Sequence, residues 1–193
     1  MIKHTLAACA ISLASVTLAQ AQTASPVRFL VGAGINAGGD RLAATRYSDA
    51  NSSKIKAGGG LQLLAGVDYR VNQQVSLQAN IGVHANYTSE ASVGNPNFKR
   101  IPLELLAYYH FNADWRVGGG ARLISSPKLN GAGKGSFMDR DFKNTVGLVL
   151  EAEYFVSSNF GVKVRAVSEK YEFKAGGGDV SGNHVGLFGS YYF

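Results

Sequence analysis

The segment Val75–Tyr87, VSLQANIGVHANY, puts an apolar residue at every second position. Val75, Leu77, Ala79, Ile81, Val83, Ala85 and Tyr87 fall on one side, and Ser76, Gln78, Asn80, Gly82, His84 and Asn86 on the other. Side chains alternate across a strand, so this segment has one apolar face and one polar face, a division that no helix makes. A tilted strand of about 9–11 residues crosses a bilayer, and this one is long enough to do so.

The pattern recurs over about Val27–Asn36, Gly60–Arg70, Arg100–Phe111, Trp115–Ile124, Val146–Tyr154, Phe160–Glu169 and Asn183–Phe193. The links are alternately short (71–74, 112–114, 156–159) and long or medium (38–57, 88–97, 125–143, 174–182), and the longer ones are polar. Short turns on one side and longer loops on the other are the signature of an eight-stranded antiparallel up-and-down transmembrane β-barrel, with both termini on the short-turn, periplasmic side. Pro102 cannot donate to a ladder, so a bulge or strand end is expected there. The Gly118-Gly119-Gly120 run would permit sharp local curvature.

Alternation alone does not say which face is inside, because a soluble lipocalin-like barrel alternates with its apolar face inward. The ionisable residues argue against that arrangement. Asp68, Arg70, Glu104, Arg116, Arg122, Glu151, Glu153, Lys163, Arg165 and Glu169 all lie on the polar face, and the middle of the apolar face is nearly free of charge. A Lys or Arg at mid-bilayer costs about 2–4 kcal/mol, so in a membrane this set must be enclosed. The acidic and basic members nearly balance, which suits a mutually neutralising network filling a narrow interior. Phe29, Tyr69, Phe111, Trp115, Tyr154, Phe160 and Phe193 sit beside a terminus or a short turn on the apolar face, as an interfacial girdle would. Tyr87 is the best candidate for a thinner outer girdle.

The N-terminus reads as a secretory signal. Lys3 and His4 precede an apolar core from Leu6 to Leu18, and Ala19-Gln20-Ala21 is a small-x-small cleavage site. This divides the chain into a signal peptide at 1–21 and a barrel domain at 22–193. Leu6-Ala7-Ala8-Cys9 lies too early in the apolar core to be a lipoprotein box. Cys9 is the only cysteine and would leave with the signal, so no disulfide, zinc-thiolate site or cysteine nucleophile is expected. No apolar run after the signal is long enough for a membrane helix. The net charge is +6 over the whole chain. An exported basic protein more readily meets anionic lipid or lipopolysaccharide than nucleic acid.

The chain resembles the small eight-stranded outer-membrane proteins of Gram-negative bacteria, of the OmpA transmembrane domain, OmpX and OmpW kind. The carriers are the signal peptide, the repeated amphipathic strands, the hairpin RIPLELLAYYHFNADWRVGGGARL (Arg100 to Leu123) and the ending Tyr191-Tyr192-Phe193. The resemblance implies that Tyr191 and Phe193 form the assembly signal read by the barrel-insertion machinery. Phe188 stands five residues before the end, where that signal usually has Gly. The expected protein is a monomer without cofactor or metal, with a structural or adhesion role exercised through basic outer loops. Lys56, Lys99, Arg140 and Lys143 are the candidate contacts to lipopolysaccharide phosphates. A narrow pore for small or apolar solutes is the alternative function. A lipid-A or phospholipid-modifying enzyme is a third, but it lacks support. His84, His110 and His184 point inward, Ser181 is the nearest serine to His184 in sequence, the His-x-Ser motif of lipid A deacylases is absent, and no metal-ligand spacing appears.

Overall fold

The computed structural model of the protein describes residues 25–46, 52–87, 96–131 and 139–193. The proposed signal peptide and the parts of the links at 47–51, 88–95 and 132–138 lie outside the described residues. All regular structure among the described residues is strand.

Eight strands build the wall: β1 (Val27–Gly38), β4 (Gly60–Arg70), β5 (Val75–Tyr87), β6 (Asn97–His110), β7 (Trp115–Asn130), β9 (Thr145–Phe155), β10 (Phe160–Ser168) and β13 (His184–Tyr192). Each pairs antiparallel with its neighbour in the chain, and β13 returns to β1, from Leu30↔Tyr192 to Gly38↔His184, which closes the sheet into a barrel. Closure leaves the wall no free edge.

The faces fall as the charge argument requires. Leu77, Ile81 and Leu148 stand on the outside, 48, 58 and 66% exposed, while Arg116, Glu151 and Arg165 are 0, 5 and 3% exposed within. A soluble carrier would show the reverse. The seven girdle aromatics are all exposed on the outer surface near the short turns. Trp115 packs on Tyr154 at 4.9 Å between ring centroids, and Tyr191 on Phe193 at 5.1 Å.

Pro102 has the expected local effect. The β5–β6 ladder keeps one register but lacks pairs at Pro102 and Ile101, between Ile81↔Leu103 and His84↔Arg100, while on its other side Pro102 pairs with Ile124. The bulge itself lies just beyond, between Lys99 and Ile101, where β7 spends three steps from Ser125 to Lys128 against two on β6. Ser126 takes up the extra residue with a φ of 51°, a left-handed conformation uncommon outside glycine. β7 keeps one register through the glycines at 118–120. They make room for neighbouring side chains. A Cβ on Gly118 would lie 2.4 Å from the ring of Tyr108, its cross-strand partner. Gly34 stands in the same relation to Phe188, where a Cβ would lie 2.3 Å from the ring. Each glycine lets a large inward ring lie flat over the neighbouring strand.

The outer links are more ordered than their polarity suggests. Residues 38–57 contain the hairpin β2 (Arg41–Arg46) and β3 (Ser52–Lys56). β6 and β7 run on above the wall, β7 to Asn130, where the short β8 (Arg140–Asp141) pairs with Lys128 and Leu129. β11 (Lys170–Glu172) and β12 (Asp179–Ser181) make another hairpin. What holds these pieces is a second apolar core, of Ile55, Ala57, Phe98, Ile124, Leu129, Phe142 and Tyr171, with Leu42, Phe173 and Val180 packed against it. This cap lies at the end of the barrel opposite the short turns.

Candidate functional site

Every wall strand sends its polar face into the interior, and the ladder registers set the height of each side chain. Near the short turns, Arg116 of β7 lies opposite His110 of β6 and Glu153 of β9. All five of its N–H donors find acceptors. Nε reaches Glu153 Oε2 at 2.7 Å, Nη1 reaches Asp68 Oδ1 at 2.8 Å and Ser76 Oγ at 3.1 Å, and Nη2 reaches Gln78 Oε1 at 3.0 Å and Tyr192 OH at 2.6 Å. The Tyr192 hydroxyl in turn donates to Glu153 Oε1 at 2.7 Å. The guanidinium lies over the ring of Tyr108, 4.0 Å from its centroid. Arg28 adds a bond to the second oxygen of Asp68 at 2.9 Å.

Halfway up, Glu104 is the hub. Oε1 accepts from Arg122 Nη1 at 2.7 Å, and Oε2 accepts from Arg165 Nη2 at 2.9 Å and from Asn80 Nδ2 at 3.2 Å. Glu151 pairs with Arg165 and accepts from the Tyr108 hydroxyl. Lys163 lies 3.8 Å from Glu151 and 3.7 Å from Glu153, linking the middle layer to the lower one. Above these, Glu169 faces Arg122 at 3.1 Å and Arg100 at 3.8 Å, and accepts from the hydroxyl of Tyr171 in the cap. Burial pushes that hydroxyl well above the usual tyrosine range, so it stays a donor. His84 fits between Arg100 and Arg122, with a ring nitrogen 3.1 Å from a guanidinium nitrogen of each.

Nine of the ten residues read from the polar face are therefore enclosed and in mutual contact: Asp68, Glu104, Arg116, Arg122, Glu151, Glu153, Lys163, Arg165 and Glu169. Arg70 is the exception. It sits half-buried at the short-turn rim, and its Nη1 donates to the Gln73 carbonyl at 3.1 Å, because β4 ends there. Arg100, at the first position of the expected strand Arg100–Phe111 and absent from that set, is fully enclosed as well. Its two-residue spacing from Pro102 and Glu104 carried that phase. With Arg100 included, the enclosed set among the described residues holds five acidic and five basic side chains. Sequence reading also missed the three tyrosine hydroxyls, of Tyr108, Tyr171 and Tyr192, as network members. The upper layers keep several buried polar atoms without a protein partner, among them Arg100 Nη1, Arg165 Nη1 and Asn36 Oδ1, where ordered water is the natural complement.

His84, His110 and His184 are enclosed too. His110 lies 2.9 Å from Ser76 Oγ, and His184 Nδ1 lies 2.7 Å from the Gly182 carbonyl. On the outside, Lys56 and Lys99 are exposed. Lys143 is exposed and ion-paired with Glu172 at 2.9 Å. Arg140 is exposed and donates to the Asp139 carbonyl at 2.8 Å. Tyr191 and Phe193 are exposed at the short-turn end, and the Phe193 N–H donates to Phe29 O at 2.9 Å.

Solved structures share this architecture. Neisserial surface protein A aligns with a TM-score of 0.51 at 15% identity, over 89% of this chain and 100% of that one. The outer membrane protein OprG from Pseudomonas aeruginosa aligns with a TM-score of 0.51 at 14% identity, over 88% and 96%. At such identities the likeness is one of fold. No curated protein matches the chain in sequence. The family model described as outer membrane protein beta-barrel domain matches residues 6–193, nearly the whole length. The chain thus belongs to the outer membrane protein β-barrel family, and its place is the bacterial outer membrane.

Proposed function

We propose that the protein is a monomeric outer-membrane barrel with a closed interior, acting through its outer surface as a structural element and an adhesion or interaction platform. The observation that supports this best is the filled lumen. From Arg116 to Glu169 the inward charges neutralise one another, and the apolar cap of Ile55, Phe98, Leu129, Phe142 and Tyr171 closes the outer mouth above them. An ion path would favour an excess of one sign over such a balance. Both termini belong on the periplasmic side, with the short turns at 71–74, 111–114 and 156–159. Tyr191 and Phe193 present the C-terminal signal to the insertion machinery. The outer-leaflet glycolipid is the lipid partner, met by basic residues around Lys56 and Lys99. Purified protein in planar bilayers tests the closed interior. Silence is the expected result, and stable unitary conductance steps would replace this reading with the narrow pore.

A further inference from the structure

Two cation pairs on the outer wall stand directly opposite each other across a ladder: Lys99↔Lys128 between β6 and β7, and Arg41↔Lys56 between β2 and β3. All four side chains are exposed. Like charges placed this way destabilise a sheet. Among the described residues none of the four closes an ion pair, and several carboxylates of the same links are engaged with other groups. Glu172 pairs with Lys143, Asp179 with Lys170, and Asp40 accepts from the Ser181 N–H. Asp141 is Lys128's neighbour on its other side without reaching ion-pair distance. The two pairs adjoin. The Lys56 carbonyl accepts from Asn86 Nδ2 at 3.2 Å, and Ala85, next to Asn86, is the cross-strand partner of Lys99. Lys56 and Lys99 are thus about two strand spacings apart, ~10 Å.

Their height supplies the second argument. From Phe111 in the lower girdle to Lys99 is twelve steps along β6, about 40 Å of strand, or about 30 Å of vertical rise at a tilt near 40°. The apolar band of such barrels is about 25 Å tall, so Lys99 and Lys128 stand about 5 Å above its upper edge, at headgroup level. Ile101 and Leu103, the next outward residues below Lys99, are apolar and exposed.

We propose that Lys56, Lys99 and Lys128, assisted by Arg41, bind the phosphate groups of the outer-leaflet glycolipid, and that this phosphate relieves the repulsion built into the two pairs. The inference rests on the outer-surface reading above and sharpens its lipid contact. It brings in Lys128 and sets aside Lys143, whose charge Glu172 already matches. The test uses full-length protein refolded in detergent and titrated with fluorescently labelled lipopolysaccharide, intact or with its lipid A dephosphorylated. The variant K56Q/K99Q/K128Q should bind intact lipopolysaccharide at least tenfold more weakly than the parent, K143Q should stay within twofold, and dephosphorylation should erase the difference between parent and triple variant. A triple variant that still shows a heat-modifiable folded band and binds within twofold of the parent would overturn the proposal. A second measurement isolates the repulsion. In phosphatidylcholine vesicles Lys99→Glu, whose other ladder neighbour is the neutral Ala85, should raise the urea midpoint, whereas lipopolysaccharide should stabilise the parent and not this variant. An unchanged midpoint refutes the like-charge argument. Conductance of the same preparations reports separately on the closed interior, since channels with intact glycolipid binding would sink that reading alone.

Discussion

Glu104 offers the sharpest test of the enclosed network. Its two oxygens face Arg122 at 2.7 Å and Arg165 at 2.9 Å, with Asn80 and Gln62 also within reach. Glu104→Gln keeps the shape, removes the charge, and turns one acceptor into a donor facing a guanidinium. Two unit charges 4 Å apart attract by about 4 kcal/mol at an effective dielectric constant near 20, so the gross loss across two arginines is about 8 kcal/mol. Part of this is offset, because the carboxylate no longer has to be desolvated. Measured cases of removing one partner from a buried pair fall at about 3–5 kcal/mol, the expected cost here. Trp115 is the only tryptophan and sits in the lower girdle, so its emission follows reversible urea unfolding from lipid vesicles. A double-mutant cycle with Arg122→Gln should show a coupling of at least about 1.5 kcal/mol, with the double variant less damaged than the sum of its parts. If Glu104→Gln costs under about 1 kcal/mol, as an exposed pair would, the interior is hydrated and the closed-lumen argument fails.

Two further outcomes follow from packing. Gly118→Ala should destabilise the barrel by about 1–3 kcal/mol through collision with the Tyr108 ring and the Ala107 carbonyl oxygen, and Tyr108→Ala in the same chain should remove the ring's part of that increment. Urea midpoints of the single and double variants check it. Phe142→Ala removes a ring at the centre of the cap, where a buried Phe truncation costs about 3–5 kcal/mol. The loss should be local, with the outer hairpins cut faster by added protease while the wall survives as a heat-modifiable folded fragment.

The wall was legible because its physics is local. Lipid on one side and enclosure on the other impose a period of two, and that period located β4 at Gly60–Arg70 and β5 at Val75–Tyr87 directly. The same phase located the enclosed charges; Arg70 falls outside because β4 ends there, and Arg100 joins them because β6 starts three residues before it. The partners of each charge could not be read in this way. That Arg116 meets Asp68 and Tyr192, far away in sequence, depends on strand tilt and stagger around the barrel, which no single strand records. The cap was hidden for a related reason. Leu42, Ile55, Phe142 and Phe173 are isolated apolar residues in polar links, and each becomes a core residue only when the others arrive.

Tyr192, the penultimate residue, joins Arg116 and Glu153 in the lower layer, and its strand is also the one that seals the wall against β1. Sealing and neutralisation are therefore a single event. A half-rolled sheet that still lacks its last strand would turn Arg116 and Glu153 toward hydrocarbon with part of their complement missing, a state the bilayer strongly disfavours. Partly closed forms should then be too scarce to trap, and insertion should proceed from an unsealed species held outside the hydrocarbon to the finished cylinder in one concerted passage.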